Sequence, residues 1–229
     1  MQDATEKIHK FMTPIINWCL FFRRKTIMQT YGFSKITIKQ LDNELNPVDG
    51  KKYTVEGKPR EGAAASFEIT GLKKEPSKVF GSNIAYYVAR KGHGDIAANL
   101  GILDFPATIE HEILGHKKAT EESKVYHIGE DTEPPYYAVL IESEDLYGEK
   151  IGFGMYAGTF SCDGIKGETL NDDDFTPEPG EYVYSAISRQ VGDKKVTVGF
   201  ADNSEALEEL KKELFGDETH ELEKLQAPQ

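Results

Sequence analysis

The chain has 229 residues with 39 acidic and 27 basic side chains, a formal net charge of −12. That balance argues against phosphate recognition as a main function, because nucleic-acid affinity rests on Lys and Arg releasing counterions. Hydrophobic content of 38%, 21 glycines and short apolar runs suit many short strands around a real core, in one domain or two small ones.

Residues 1–27 differ from the rest. The apolar run from Phe11 to Phe22 is broken by Pro14 and Asn17 and falls short of the roughly 20 residues a bilayer span needs. Asp3 and Glu6 spoil a basic n-region and no small-residue cleavage site follows, so neither a membrane anchor nor a signal peptide is expected. An arm docking on a neighbour is one alternative, and translated leader sequence is the preferred one. Arg23-Arg24 can be encoded by AGG-AGG, a ribosome-binding sequence read in frame, three codons before Met28. Five basic and two acidic residues lie in this stretch, so the chain from Met28 onward carries −15.

The alternation of Lys35-Ile36-Thr37-Ile38-Lys39 predicts a half-buried strand, and Asn46-Pro47 with Asp49-Gly50 predicts a turn over 42–50. Residues 51–65 are polar and glycine-containing and read as a long hairpin or mobile loop. Residues 66–70 form a second alternating strand. Residues 73–82 read as a further loop whose apolar pair, Val79 and Phe80, is a candidate inter-subunit contact. Strands are expected over 83–89, 95–103, 124–128, 136–142, 150–161, 181–189 and 195–200. The Leu146-Tyr147-Gly148-Glu149 turn makes an antiparallel hairpin of the 136–142 and 150–161 pair.

One short helix interrupts the strands. Asp104 is placed as its N-cap, Pro106 sits in the first turn, and Gly115 can close it in the left-handed region. Ile109, Ile113 and Leu114 share one face. A second helix follows Asp202, where Asp202 and Glu205 have capping-box spacing and Ser204 competes as the cap. Leu207, Leu210 and Leu214 form its apolar stripe, packing on the parent domain or on a neighbouring subunit, and Gly216 stops it. Residues 217–229 read as a flexible acidic tail. The fold class expected is mainly β (α+β): an antiparallel sandwich or barrel with one inserted helix, long loops and a C-terminal helix.

Several motifs suggest chemistry and are set aside. His111-Glu112-Ile113-Leu114-Gly115-His116 looks like a zincin helix, but that site needs histidines at i and i+4. Here the second imidazole is at i+5, more than about 100° away on a continuous helix. Gly152-Phe153-Gly154-Met155-Tyr156-Ala157-Gly158 sits inside a strand and misses dinucleotide spacing, so its small residues are better read as letting sheets approach closely. Asp172-Asp173-Asp174 lacks the ligand spacing of a calcium loop. No nucleophile elbow or Walker loop occurs, and Cys19 and Cys162 are too far apart for a disulfide framework or zinc spacing. No catalytic, cofactor or metal residue is assigned, and no enzyme is expected.

Asp104-Phe105-Pro106, Ile113-Leu114-Gly115 and the run from Gly129 to Tyr136 together resemble the major tail proteins of long-tailed bacteriophages and prophages. These are the tube-forming subunits of non-contractile tails. The likeness extends through Ser82-Asn83-Ile84, through 91–95 and through 153–163, and covers 28–216, the expected tube domain. The resemblance implies hexameric rings stacked into a tube, with the chain itself as main partner and tape measure, tail terminator and distal tail proteins as others. DNA would pass as non-specific cargo, with assembly in the host cytoplasm and a final place in the virion tail. The rival expectations are a carbohydrate- or surface-binding β-module, for which Tyr136-Tyr137 is a poor start, and a hydrolase built on carboxylates.

Overall fold

The computed structural model describes residues 30–216 apart from 82, 90, 91, 166, 168 and 170–175, with backbone alone for 77–81 and 85–89. The stretches expected to be leader (1–27) and acidic tail (217–229), and Asp172-Asp173-Asp174, therefore lie outside the described residues.

In chain order the strands are β1 (Thr30–Leu41), β2 (Pro47–Val55), β3 (Ala63–Thr70), β4 (Ser77–Gly81), β5 (Ile84–Ala89) and β6 (Ala97–Leu103). After helix α1 (Ala107–Ile113) come β7 (Lys117–Lys118), β8 (Tyr126–His127), β9 (Tyr137–Asp145), β10 (Lys150–Ser161) and β11 (Gly180–Ile187). Last are β12 (Arg189–Val191), β13 (Lys194–Val196), β14 (Val198–Ala201) and helix α2 (Ser204–Phe215). The main sheet is antiparallel in the order β2-β1-β9-β10-β11-β6-β3, with β14 also paired to β10. The pairs β4–β5, β7–β8 and β12–β13 stand as separate ribbons.

The sheet curls on itself. Phe33 of β1 meets Phe67 of β3 edge-to-face at 5.0 Å, although these strands lie near opposite ends of the sheet order. Inside the curl, Ile36, Ile38, Leu100, Val139, Ile141, Ile151 and Met155 make one core with α1. Tyr137, Phe160 and Tyr184 interlock edge-to-face within it, at 5.8 and 5.0 Å between ring centroids. The buried Tyr184 hydroxyl donates to the Tyr137 carbonyl at 2.6 Å, which satisfies a polar atom that burial would otherwise strand.

β9 and β10 are buried on both faces, because α2 covers their outer side in a second core of Leu140, Tyr156, Ala157, Ala201, Leu207, Leu210 and Leu214. The predicted leucine stripe thus packs on its own domain, each buried leucine contributing about 1.5–3 kcal/mol. Glycines make the seat: a Cβ at Gly154 would lie 2.7 Å from Leu214 and 3.0 Å from Leu210. Gly152 and Gly154 of β10 thus make room for a helix rather than for a second sheet, while Gly158 lies against Ser185 and Tyr184 of β11.

Four expectations need correction. Asp42 Oδ1 accepts from Glu44 and Asn46 N–H groups, both at 2.8 Å, so the first turn ends at Asn46 and β2 begins at Pro47. Residues 51–65 are then not all loop: Tyr53 and Val55 supply the apolar alternation of β2, 56–62 make the turn that follows, and β3 starts at Ala63. Residues 73–82 are not all loop either, since Ser77–Gly81 pairs with Ile84–Ala89. The α2 cap is Asn203, whose side chain accepts from Ala206 N–H at 2.8 Å, in place of Asp202 or Ser204.

Candidate assembly surfaces

The α1 segment is entered differently from expectation. Asp104 has φ +50° and its carboxylate accepts the Arg60 N–H at 2.6 Å, tying two loops together instead of capping the helix. Pro106 is the N-cap residue and has no side-chain cap bond. Its ring has no oxygen to offer, so the first turn relies on the Pro106 carbonyl, which accepts from Ile109 and Glu110 N–H, both at 3.0 Å.

At the far end Leu114 is the C-cap and Gly115 follows with φ +71°. Gly115 N–H donates to Glu112 O at 3.2 Å and His116 N–H to His111 O at 2.9 Å, the paired bonds of a Schellman ending. A Cβ on Gly115 would also run into the Glu133 carbonyl and Pro134.

That ending overturns the expected separation of the histidines. The chain reverses at Gly115 and brings His116 Nδ1 to 2.9 Å from His111 Nδ1. Tyr126 stacks on His111 at 4.2 Å, and the Lys118 ammonium stands 4.9 Å from the Tyr126 ring centre. Burial, then the neighbouring His111 charge, hold His116 below its ordinary pKa, with Glu110 opposing. Among the described residues no group of three or more His, Cys, Asp or Glu is arranged to hold a metal ion.

Two carboxylates of α1 are clamped from opposite sides of the curl. Glu112 takes the Lys51 ammonium and, at 2.5 Å, the Tyr53 hydroxyl, both from β2. Glu110 accepts the Tyr182 hydroxyl from β11 at 2.9 Å. Partial burial would raise the Glu112 pKa, but the bonds from Lys51 and Tyr53 outweigh it and hold the carboxyl below its usual value. Sequence reading missed this clamp, since its partners are about sixty and seventy residues apart; only the tyrosines at inward strand positions signalled it.

Outside the cores the surface carries large apolar side chains. Tyr31, Leu146 and Tyr147 are exposed near the β9–β10 turn, where Thr30 pairs with Asp145. Val125 and Ile128 are exposed on either side of β8. The β4–β5 hairpin holds the predicted contact pair within β4, Val79 opposite Tyr87 and Phe80 opposite Ala85; the side chains of Val79 and Phe80 lie outside the described residues. Asn83, with φ +64°, serves its turn.

A family model described as phage tail tube protein matches residues 28–219. The chain belongs to the phage tail tube protein family. As such it is a structural component of the virion tail, and the family implies assembly with itself and with other tail proteins. The match begins at Met28, where the resemblance also begins. No curated protein matches the chain. Among the described residues no helix is long and apolar enough to cross a membrane. For a tail tube protein, the features of interest are therefore the surfaces left open to neighbours.

Proposed function

We propose that this chain polymerises as stacked hexameric rings into the tube of a long, non-contractile phage or prophage tail, and that DNA is delivered through its lumen. The carrying observation is the family match over most of the chain, joined to a curled antiparallel sheet that leaves the β4–β5 ribbon off its strand order and several large apolar residues exposed. Stacked rings use heterologous interfaces that repeat along an axis without closing. An acidic subunit suits a conduit, because a lumen of like charge repels phosphate and lets DNA slide.

In this reading residues 28–216 form the tube domain, 1–27 are leader and 217–229 a free tail. The protein has no catalytic role and needs no cofactor. Its partners are further copies of itself, then tape measure, tail terminator and distal tail proteins, met in the host cytoplasm. The test is negative-stain microscopy of purified protein over a range of concentration and salt, with mass spectrometry of phage particles. Rings or tubes of uniform diameter support the proposal. Protein that stays monomeric at millimolar concentration and is absent from particles defeats it.

A further inference from the structure

Residues 116–133 join α1 to β9 and carry the β7–β8 ribbon, in which Lys117 pairs with His127 and Lys118 with Tyr126. A ribbon of two residues per strand does not hold itself together in water. Among the described residues, the hydrogen bonds and ion pairs of 117–132 close within that stretch. Lys117 Nζ donates to the Asp131 carbonyl at 2.9 Å, Val125 N–H to Ser123 Oγ at 3.1 Å and Gly129 N–H to Thr132 Oγ1 at 2.8 Å.

The side-chain ties from this segment to α1 converge on His111. The Tyr126 ring stacks on His111 at 4.2 Å and 28°, and His116 Nδ1 lies 2.9 Å from His111 Nδ1. Two Nδ1 atoms at that distance share one hydrogen, with one ring donating and the other accepting through a bare nitrogen. Once both are protonated no acceptor is left, and two N–H groups point into each other. The rings must then part, and His116 leads directly into β7.

The surrounding charges do not offset that repulsion. Lys118 stands 4.9 Å from the Tyr126 ring centre, so the ring that would favour a charged His111 already faces a cation. Glu110 favours a charged His116 but is engaged by the Tyr182 hydroxyl. Glu112 is engaged by Lys51 and Tyr53, Lys117 by Asp131, and His127 stands across the ribbon from Lys117. Glu133 approaches Gly115 with its backbone carbonyl. Burial and then the His111 charge outweigh Glu110, so His116 takes its proton below the ordinary value of 6.5.

We propose that His111 and His116 form an acid-opened clasp: sharing one hydrogen, the pair holds the 116–133 segment on α1, and doubly protonated it releases the segment while both cores stay packed. The release is local because α1 keeps its own seat through Ile109, Ile113 and Leu114, whereas both histidines are only half-buried. The clasp is a property of the single chain and does not depend on the tube reading.

Hydrogen exchange read by mass spectrometry tests this on the full chain, in the parent, His116→Gln and His111→Gln. The two conditions are about pH 7.5 and about pH 5, on either side of the ordinary histidine value, with rates corrected for the intrinsic pH dependence of exchange. Protection over 116–133 in the parent should fall about tenfold or more at the lower pH while β9 and β10 keep theirs. Glutamine gains no proton, so each variant should show the same protection over 116–133 at both values. Should the variants misfold, long-range proton–nitrogen spectra of the parent's imidazoles decide. One Nδ1 protonated and the other bare at the higher pH supports the clasp, and two bare or two protonated atoms overturn it. Parent protection that ignores pH, a loss that spreads through β9 and β10, or an acid step that survives in both variants overturns it equally.

Discussion

His111 and His116 face each other with Nδ1 atoms 2.9 Å apart, because Gly115 turns the chain back between them. Two like atoms can share one hydrogen only if one ring is neutral at Nδ1. A second proton breaks the bond and sets two positive rings against each other.

The pair therefore makes stability depend on pH. His116 is held below its ordinary value of 6.5, first by burial and then by the His111 charge. A base with a depressed folded pKa binds fewer protons folded than unfolded. Its contribution is present above about 6.5 and is lost as pH falls toward the folded value. Urea midpoints should drop as pH falls below about 6.5 in the parent, and drop less in His116→Gln. Identical pH profiles for the two would assign the effect elsewhere.

The same two residues should leave metal content alone. Two imidazoles supply half of a structural zinc shell, which takes four ligands. Replacing His111 or His116 with Ala is expected to change neither zinc nor nickel content of the purified protein. Stoichiometric metal that disappears with either substitution would show a site completed by other residues.

Gly115→Ala should cost more than the roughly 1 kcal/mol of a left-handed glycine, since the new Cβ meets the Glu133 carbonyl backbone as well. Ile113→Ala, at a side chain with no exposure, should cost about 2–5 kcal/mol. Chemical denaturation reads both. Negligible effects from the two together would mean that α1 is not docked on the sheet.

The Glu112 clamp makes a separate acid-side prediction. Its carboxyl sits below the usual range because Lys51 and Tyr53 outweigh burial. An acid with a depressed folded pKa stabilises above its unfolded value, near 4.3, and loses that contribution as pH falls through the folded value. Tyr53→Phe should lower stability by about 0.5–1.5 kcal/mol at neutral pH and by less in strong acid. A loss of equal size at every pH would point to packing rather than to the hydroxyl.

How much of this was legible in the sequence follows from which interactions are local. β10 was read to the residue, and the turn before it was marked by Gly148, which has φ +79°. The α2 stripe was clear because three leucines at helical spacing signal a buried face wherever the partner lies. The loop over 51–65 was misread because charge hid Tyr53 and Val55, whose alternation matters once β1 lies beside them. Asp104 has the composition of a cap, but its carboxylate had a distant competitor in the Arg60 N–H. The histidine pair was missed because helical angles apply only to a helix that continues. Glycine at i+4 was the signal that this one ends.

The last prediction concerns the chain end and salt. α2 stops at Gly216, and every leucine of its stripe lies before that point. A chain ending after Gly216 should keep the melting behaviour of the parent. If residues 217–229 bridge subunits, the same truncation should reduce tube formation, because contacts that order only in the polymer are lost with them. Net charge opposes assembly at long range, and physiological salt screens exposed charges over roughly 8 Å. Added salt should therefore promote tubes in the parent, while a seated charge contact is screened far less than the approach. Microscopy against salt and protein concentration, for parent and truncated chains, measures both effects. A truncated chain that forms tubes as readily as the parent removes the tail from the interface. Tubes that dissolve as salt rises would show that attraction between exposed charges, rather than net repulsion, governs assembly.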